Sequence, residues 1–287
     1  MTLLATVFGS AAVARLINKP LRDLSFAASR IGDGEYDSRL DETTLTSEIR
    51  QVNMGFNRMA RELAKVEEDR AVMLAGISHD LRTPLARLRL EAEMSVPDAQ
   101  AREAMVGDIA QLDAIIGKFL DYARPGDMRL IPVSLNNTVE ACLEPWRKRS
   151  DLAFKVALQD GLMVQADPVE LQRALVNLLE NAARYGQTLG TQVARVDISA
   201  RYRDDKVLLR LRDHGRGVPP DQLEQLTTPF FRGDSARSAA NSTGLGLAIV
   251  EQIISRMGGV FDLSNANSGG LCANIVLRRA TGSAAAN

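Results

Sequence analysis

Histidine is scarce in this chain, which has only His79 and His214 in 287 residues. Any imidazole chemistry must therefore fall on one of two positions. Cysteine is as scarce. Cys142 and Cys272 lie far apart and make no metal-ligand spacing, so they read as two reduced packing residues of a cytosolic protein. Aromatics make up only 5%, as in a chain rich in coiled helices, and a net charge of -1 gives no sign of a nucleic-acid partner. The apolar or small stretch Thr2–Ala14 is too short for a bilayer, which takes about 20 residues, and no charged segment precedes it as in a signal peptide. Arg15 and Lys19 follow it directly, as basic residues do on the cytoplasmic side of a membrane helix. Residues 1–14 are expected to be the end of a transmembrane helix of a longer protein; a buried or coiled first helix is the plain alternative. What is present is ordinary for a globular protein, 45% hydrophobic and 25% charged, with length for two or three domains.

The stretch Gly76-Ile77-Ser78-His79-Asp80-Leu81-Arg82-Thr83-Pro84-Leu85 organises the rest. Leu74, Ile77, Leu81, Pro84 and Leu88 draw a helix seam. His79 falls off that seam, on the most solvent-facing position, so a satisfied core histidine fits poorly. An exposed imidazole beside a carboxylate has the arrangement of a nucleophile beside its orienting group. Asp80 can accept the Nδ1 proton and leave Nε2 free to attack. Thr83 lies one turn on. Pro84 has no amide hydrogen to give the carbonyl of Asp80, so a bend is expected there. The stretch resembles the H-box of sensor histidine kinases, in which the histidine takes the γ-phosphoryl group of ATP.

Upstream, Ile17, Leu21, Leu24, Ala28 and Ile31 predict one helix, ended by Gly32-Asp33-Gly34. Ile49, Val52, Phe56, Met59, Leu63 and Val66 predict a second, reached through Ser38, Leu40 and Leu45. Pro20 and Glu48, near the helix starts, fit a resemblance to the HAMP domain, although Thr46-Ser47-Glu48-Ile49 departs from that family's usual pattern; a plain coiled coil is the alternative. Either implies a parallel dimer. Downstream, Val96-Pro97-Asp98 predicts a turn with Asp98 as N-cap. Met105, Ile109, Leu112, Ile116 and Phe119 predict a second arm, ending before Arg124-Pro125-Gly126. A hairpin with one stripe per arm wants a partner hairpin, hence a dimeric four-helix bundle. This resembles the dimerisation and histidine-phosphotransfer domain of the same kinases.

Beyond Gly126, strands and helices alternate. The predicted elements are a helix over 136–149, strands over 152–158 and 162–166, a helix opened by Asp167-Pro168-Val169-Glu170, strands over 195–200 and 206–211, a Gly-led helix over 242–257, and strands over 260–263 and 271–277. The tail 281–287 is expected to be disordered. The order predicts an α+β sandwich, a mixed sheet with helices on one face.

Four motifs lie in this part. Asn177, Asn181 and Arg184 share a helix face beside the apolar Leu171, Leu175, Leu178 and Ala182. Asparagine is a mediocre helix former, so two in one apolar helix need a reason. An amide oxygen suits Mg²⁺ and a guanidinium forks onto phosphate. The strand 207–211 runs into Asp213-His214-Gly215-Arg216-Gly217, which taken alone marks only a turn; His214 reads as a loop residue. Pro229-Phe230-Phe231-Arg232-Gly233 precedes Asp234–Asn241, a candidate mobile lid or a mere linker. Thr243-Gly244-Leu245-Gly246-Leu247 opens a helix, which sets amides and the positive dipole end against phosphate.

In this order the motifs resemble the N, G1, F and G2 boxes of the histidine-kinase ATP-binding domain, the Bergerat or GHKL fold. The run Phe230–Arg237 is most like osmosensing kinases of the EnvZ type. The resemblance implies that Asn181 holds Mg²⁺, Tyr185 lies against adenine and Asp213 accepts from its amino group. Gly215 and Gly217 let the backbone approach the ring, and Arg232, Gly233, Thr243, Gly244, Leu245, Gly246 and Leu247 belong to the ATP-binding boxes. It implies the domains 1–14 membrane helix end, 15–68 HAMP-like linker, 69–126 dimerisation and phosphotransfer, 127–280 catalytic, and 281–287 tail. The expected activity is ATP- and Mg²⁺-dependent autophosphorylation on His79, oriented by Asp80, then transfer to an aspartate of a response regulator. A regulator phosphatase activity would use Thr83. The expected setting is a homodimer at the bacterial inner membrane, with this part facing the cytoplasm and no nucleic acid bound. Two rivals stand: a catalytically inactive dimeric scaffold, and a gyrase- or Hsp90-like ATPase. The ATPase is disfavoured because those enzymes place Glu where Asn177 stands and Asn cannot act as a general base. A serine-directed kinase of the superfamily has no use for the H-box.

Overall fold

The computed structural model describes residues 17–32, 36–44, 46–123, 128–187, 191, 193–232 and 243–280. The chain divides into two compact units between Ile77 and Ser78.

In the first unit, α1 (Lys19–Gly32) meets the first part of α2 (Ser47–Ser95). Ala27, Phe56 and Ala60 are buried, with Leu24, Ile31 and Leu40 packed on them. This differs in detail from the expected seams. Ala27 rather than Ala28 is buried, while Val52 and Met59 are 48% and 49% exposed. Two asparagines take the inward positions instead, because the connector between the helices needs partners for its backbone. Asn57 donates to Leu40 O (2.8 Å) and accepts from Leu40 N (2.9 Å), and Asn53 donates to Asp41 O (2.6 Å). Asn57 and Asn53 are 3% and 5% exposed.

In the second unit, α2 continues unbroken through Pro84, and α3 (Ala99–Ala123) follows a short turn. Asp98 starts α3 as expected, its carboxylate accepting from Gln100 N at 3.1 Å. Arg82 reaches across the hairpin to Asp113 at 3.3 Å. The expected stripes remain open on the single chain: Leu81, Leu88, Met105 and Leu112 are 43%, 54%, 47% and 50% exposed. Among the described residues no helix is long and apolar enough to cross a membrane. The stretch Thr2–Ala14 and the tail 281–287 lie outside them.

The rest of this unit is the mixed α+β sandwich expected. The elements are β1 (Ile131–Ser134), α4 (Leu135–Leu143), β2 (Leu152–Leu158), β3 (Met163–Ala166), α5 (Pro168–Tyr185), β4 (Ala194–Arg203), β5 (Lys206–Asp213), α6 (Pro220–Leu223), α7 (Gly246–Arg256), β6 (Val260–Asn265) and β7 (Leu271–Arg278). The large sheet runs β2-β4-β5-β7-β6. Its β2–β4 pair is parallel and the others antiparallel. The core joins one face of the sheet to α4, α5 and α7 through Leu143, Leu171, Leu209, Ile249, Ile253 and Ile275. Opposite positions such as Arg195, Arg201 and Arg210 are exposed, which is why these strands alternate.

Two elements depart from expectation. The helix expected over 136–149 stops at Leu143: Glu144 keeps helical dihedrals (φ −52°, ψ −46°), but Pro145 has no amide hydrogen to give the Ala141 carbonyl, and Trp146 N and Arg147 N both turn back to Leu143 O. β1 was not expected; it pairs antiparallel with β3, Ile131 opposite Ala166. Asp167 caps α5 as expected, accepting from Val169 N (3.0 Å) and Glu170 N (3.1 Å). Both cysteines are buried and free, and burial pushes the Cys142 thiol up to about 11, as packing residues require.

Candidate functional site

The candidate residues form two separate groups within the second unit. The first stands on α2. His79 is almost fully exposed, its side chain at 84%, beside Asp80 at 85%. Its Nδ1 lies 3.5 Å from Asp80 Oδ1, longer than a good N–H···O bond. Both side chains are free to rotate in water, so closing that gap needs only a rotamer adjustment. Thr83 Oγ1 donates to His79 O at 3.2 Å, the helix carbonyl one turn back. The seam turns the imidazole outward, where a separate reactant can reach either nitrogen.

The second group lies where α5, α7 and the end of β5 converge, and it is built around Asp213. This aspartate ends β5 and is 4% exposed. Its Oδ1 accepts from Gly215 N (2.9 Å) and Leu271 N (3.1 Å), which leaves Oδ2 as the edge for a ligand donor. Burial pushes this carboxyl above the usual aspartate range; the two amides, and then the charges of His214 and Arg212, pull the other way. The surrounding glycines are sterically required. A Cβ on Gly215 would overlap the Tyr185 carbonyl. A Cβ on Gly270 would overlap the Asp213 carbonyl, and its φ of +89° also suits glycine alone. Gly217 (φ +73°) is followed by Val218, whose N–H and C=O both bond the amide of Asn265, at 3.0 and 2.6 Å. His214 meets Asp197 of β4 at 2.9 Å, which ties the loop to the sheet and agrees with a loop role.

Tyr185 ends α5 with its ring partly covered and its hydroxyl buried without a hydrogen-bond partner. A buried hydroxyl with no partner is a polar group open to a ligand, and the Tyr185 backbone carbonyl itself lies against Gly215 of the Asp213 loop. Asn177 is 4% exposed and Asn181 half-buried, one turn apart, with Arg184 exposed beyond them. Asn177 donates to Arg173 O (2.9 Å), and its Oδ1 accepts from Lys118 Nζ (2.8 Å). At the other side, α7 begins at Gly246 with no side-chain cap, beside Asn177: a Cβ on Gly246 would lie 3.5 Å from Asn177 Oδ1. Thr243 Oγ1 accepts from Leu245 N at 3.4 Å. Leu245 and Leu247 are 0% and 8% exposed, in the core. Of the G2-box residues these two therefore offer only their backbone to a ligand. Gly244 accepts from Phe230 N (3.0 Å), Arg232 is half-buried, and Gly233 with the 234–242 segment lies outside the described residues.

The residues present fit an adenine nucleotide: one buried carboxylate edge, an orphaned hydroxyl, a backbone cradle without Cβ atoms, and an uncapped helix N-terminus. Sequence reasoning missed Gly270, Leu271, Asn265 and Lys118. Ser268-Gly269-Gly270 was a readable turn signal, but nothing in it says that the turn folds back onto Asp213.

Three family models match successive parts of the chain. They are the HAMP domain over residues 12–65, the His Kinase A (phospho-acceptor) domain over 69–127, and the histidine kinase-, DNA gyrase B- and HSP90-like ATPase over 166–281. The signal transduction histidine-protein kinase/phosphatase MprB of Mycolicibacterium smegmatis is 31% identical over 278 residues, spanning 90% of this chain and 55% of that protein. The chain thus spans about half the length of the curated relatives it matches. Among solved structures, full-length ShkA in complex with AMPPNP matches with TM-score 0.59 at 24% identity, over 74% of this chain and 46% of that one, a likeness of fold. The histidine kinase domain of the E. coli osmosensor EnvZ is 29% identical, covering 56% of this chain and 96% of that one, with TM-score 0.42. The ordered HAMP, phosphoacceptor and ATPase matches, together with the relative aligned along nearly the whole chain, establish that this chain belongs to the sensor histidine kinases of two-component systems.

Proposed function

We propose that this chain is the signalling and kinase portion of a membrane-anchored sensor, and that it phosphorylates itself on His79 from ATP. The observation that carries this reading is the pairing of an exposed imidazole on α2 with a buried, amide-held carboxylate at Asp213 that is lined by sterically required glycines. Asp213 Oδ2 accepts from the adenine amino group while Gly215 and Leu271 hold Oδ1. Tyr185 closes on the ring, and the amides opening α7 take the phosphates. Asn181 is the proposed Mg²⁺ ligand; the ion supplies charge neutralisation on the phosphate oxygens when bound. Arg184 and Arg232 add positive charge. Nε2 of His79 attacks the γ-phosphorus, the bond to the ADP oxygen breaks, and Asp80 holds Nδ1–H so that the ring attacks in the right tautomer. The reaction asks chiefly for positioning and electrostatics.

The resulting phosphoramidate donates to a receiver aspartate of a response regulator. Thr83 positions a water for the opposing phosphatase activity, hydrolysis of the regulator's aspartyl phosphate to the carboxylate and inorganic phosphate; the relative MprB, named as a kinase/phosphatase, supports the double role. The open stripe of Leu81, Leu88, Met105 and Leu112 supports a homodimer closed through a four-helix bundle. The proposed divisions are 15–68, 69–126 and 127–280, with 1–14 as the end of a membrane helix and 281–287 as a tail. β1, α4 and β3 share the core with α5 and β7, which supports a catalytic domain that starts well before residue 166. The proposed location is the cytoplasmic face of the inner membrane. A gyrase-type ATPase is disfavoured, because Asn177 offers no general base and its oxygen already accepts from Lys118.

Incubation with γ-labelled ATP and Mg²⁺ tests this. The expected label is acid-labile, alkali-stable and missing from His79→Gln. Label retained in that variant moves the acceptor elsewhere, and nucleotide binding without any label favours the scaffold.

A further inference from the structure

The end of α3 grips the nucleotide site from outside, and no part of the phosphoryl-transfer scheme above uses that grip. Lys118 Nζ donates to Asn177 Oδ1 (2.8 Å) and to Glu180 Oε2 (2.9 Å). The next residue, Phe119, lies ring to ring with Phe230, centroids 6.2 Å apart. Asp121 O accepts from Arg173 Nη2 at 3.1 Å, and Tyr122 packs on the sandwich core. One and a half turns of the helical hairpin therefore touch α5 and the Phe230 segment together.

The Lys118 contact is placed where it matters. Asn177 is nearly fully buried, and its side-chain nitrogen is committed to Arg173 O, which fixes Oδ1 toward Lys118. That oxygen also adjoins the first residue of α7: a Cβ on Gly246 would lie 3.5 Å from it. The ammonium thus sits on the N-box oxygens beside the helix end proposed for phosphate. Phe230 is the second prong. It holds a left-handed φ of +65°, a costly conformation for a bulky residue, and is 55% exposed. Its N–H bonds Gly244 O, so the segments on either side of residues 233–242 are tied to each other and to Phe119.

We propose that Lys118 is a cation latch: its ammonium occupies the oxygens of Asn177 and Glu180 while α3 is docked, and loading of magnesium nucleotide displaces it and frees α3 from α5. This rests on the nucleotide reading above. Mg²⁺ brought to Asn181, one helix turn from Asn177 and next to Glu180 in the chain, would be a second cation in the same half-buried neighbourhood as the Lys118 ammonium, and like charges there repel. Because the coupling is reciprocal, whatever pulls α3 away raises nucleotide affinity by the factor that nucleotide loosens α3. The latch gives the helical hairpin a direct means of regulating ATP loading.

The test uses the whole chain, a fluorescent ATP analogue with Mg²⁺, and hydrogen exchange of α3 without nucleotide. Lys118→Met, which keeps the apolar stem, is expected to tighten nucleotide binding about fivefold, in line with the loss of one partly exposed ion pair. Amides of the last two turns of α3 should exchange faster. The swap Lys118→Glu with Glu180→Lys restores an ion pair and should return the protection. Unchanged affinity and exchange in Lys118→Met overturn the latch, and so does weaker binding, which would make Lys118 a nucleotide ligand. If neither wild type nor variant binds nucleotide, the proposed function fails and the latch with it.

Discussion

The two chemical centres are built in opposite ways. His79 and Asp80 stand nearly bare on a helix, 3.5 Å apart, with neither side chain held in place. Asp213 is buried, gripped by two amides, and enclosed by backbone that would clash with any Cβ at Gly215 or Gly270. A group that must meet more than one partner in turn is best presented on an open surface. A group that must recognise one ligand is best pre-organised, because that fixation costs nothing when the ligand arrives. Under the proposed function, the rigid centre reads the nucleotide and the loose one carries the phosphoryl group.

This contrast can be broken by mutation. The largest expected effect is at the carrier: His79→Gln lowers phosphoprotein at least ~1000-fold, as removal of a nucleophile does, while nucleotide affinity stays at the wild-type value. A large loss of nucleotide binding in that variant would show the two centres to be one. Next comes Gly270→Ala. The added Cβ meets the Asp213 carbonyl at a φ of +89°, so a loss of roughly 2–4 kcal/mol in unfolding free energy is expected, read by denaturant melts.

Asp213→Asn separates recognition from stability. Asparagine keeps an oxygen for the Gly215 and Leu271 amides but turns the ligand edge from acceptor to donor. Nucleotide affinity should fall about 10–100-fold, the worth of one charged hydrogen bond. Stability should move the other way. Burial raises the folded-state pKa of this carboxyl, so the folded chain holds its proton more tightly than the unfolded one. The group's contribution to stability is fullest at pH below its unfolded pKa and declines as pH rises through the folded one. At pH 7 the asparagine variant should therefore melt higher than wild type, with the gap closing as pH falls toward the carboxylate range. A lower melting temperature at pH 7 would contradict this. The smallest effect is at Thr83→Ala: the side chain is exposed and, among the described residues, bonds to its own helix at His79 O, so stability should shift by no more than about 0.5 kcal/mol. Self-phosphorylation should persist while regulator dephosphorylation drops; equal loss of both would remove Thr83 from a separate role.

The same contrast explains what could be read from the chain in advance. The α2 and α3 helices, the Asp98 and Asp167 caps and the alternation of β4 and β5 follow local patterns, and they were legible. β1 has four residues, including Pro132, and exists only because β3 pairs with it. The overrun of α4 came from continuing a helical pattern across Glu144-Pro145. Asn53 and Asn57 were passed over because polar residues on a seam look like interruptions, when here they hold the connector. In the nucleotide site the motif residues were legible, but their supports were not. Leu271 lies 58 positions from Asp213, and Lys118 lies 59 from Asn177. No local spacing reports such contacts.

The most direct test of the central claim uses the scarcity of histidine. With only His79 and His214 present, protein labelled with ¹⁵N in histidine gives two imidazoles to assign. After addition of Mg²⁺ and ATP, phosphorus–nitrogen coupling is predicted at Nε2 of His79, with the His214 ring unphosphorylated. Coupling at His214, or ATP turnover with no phosphorus–nitrogen bond at either ring, would contradict the account.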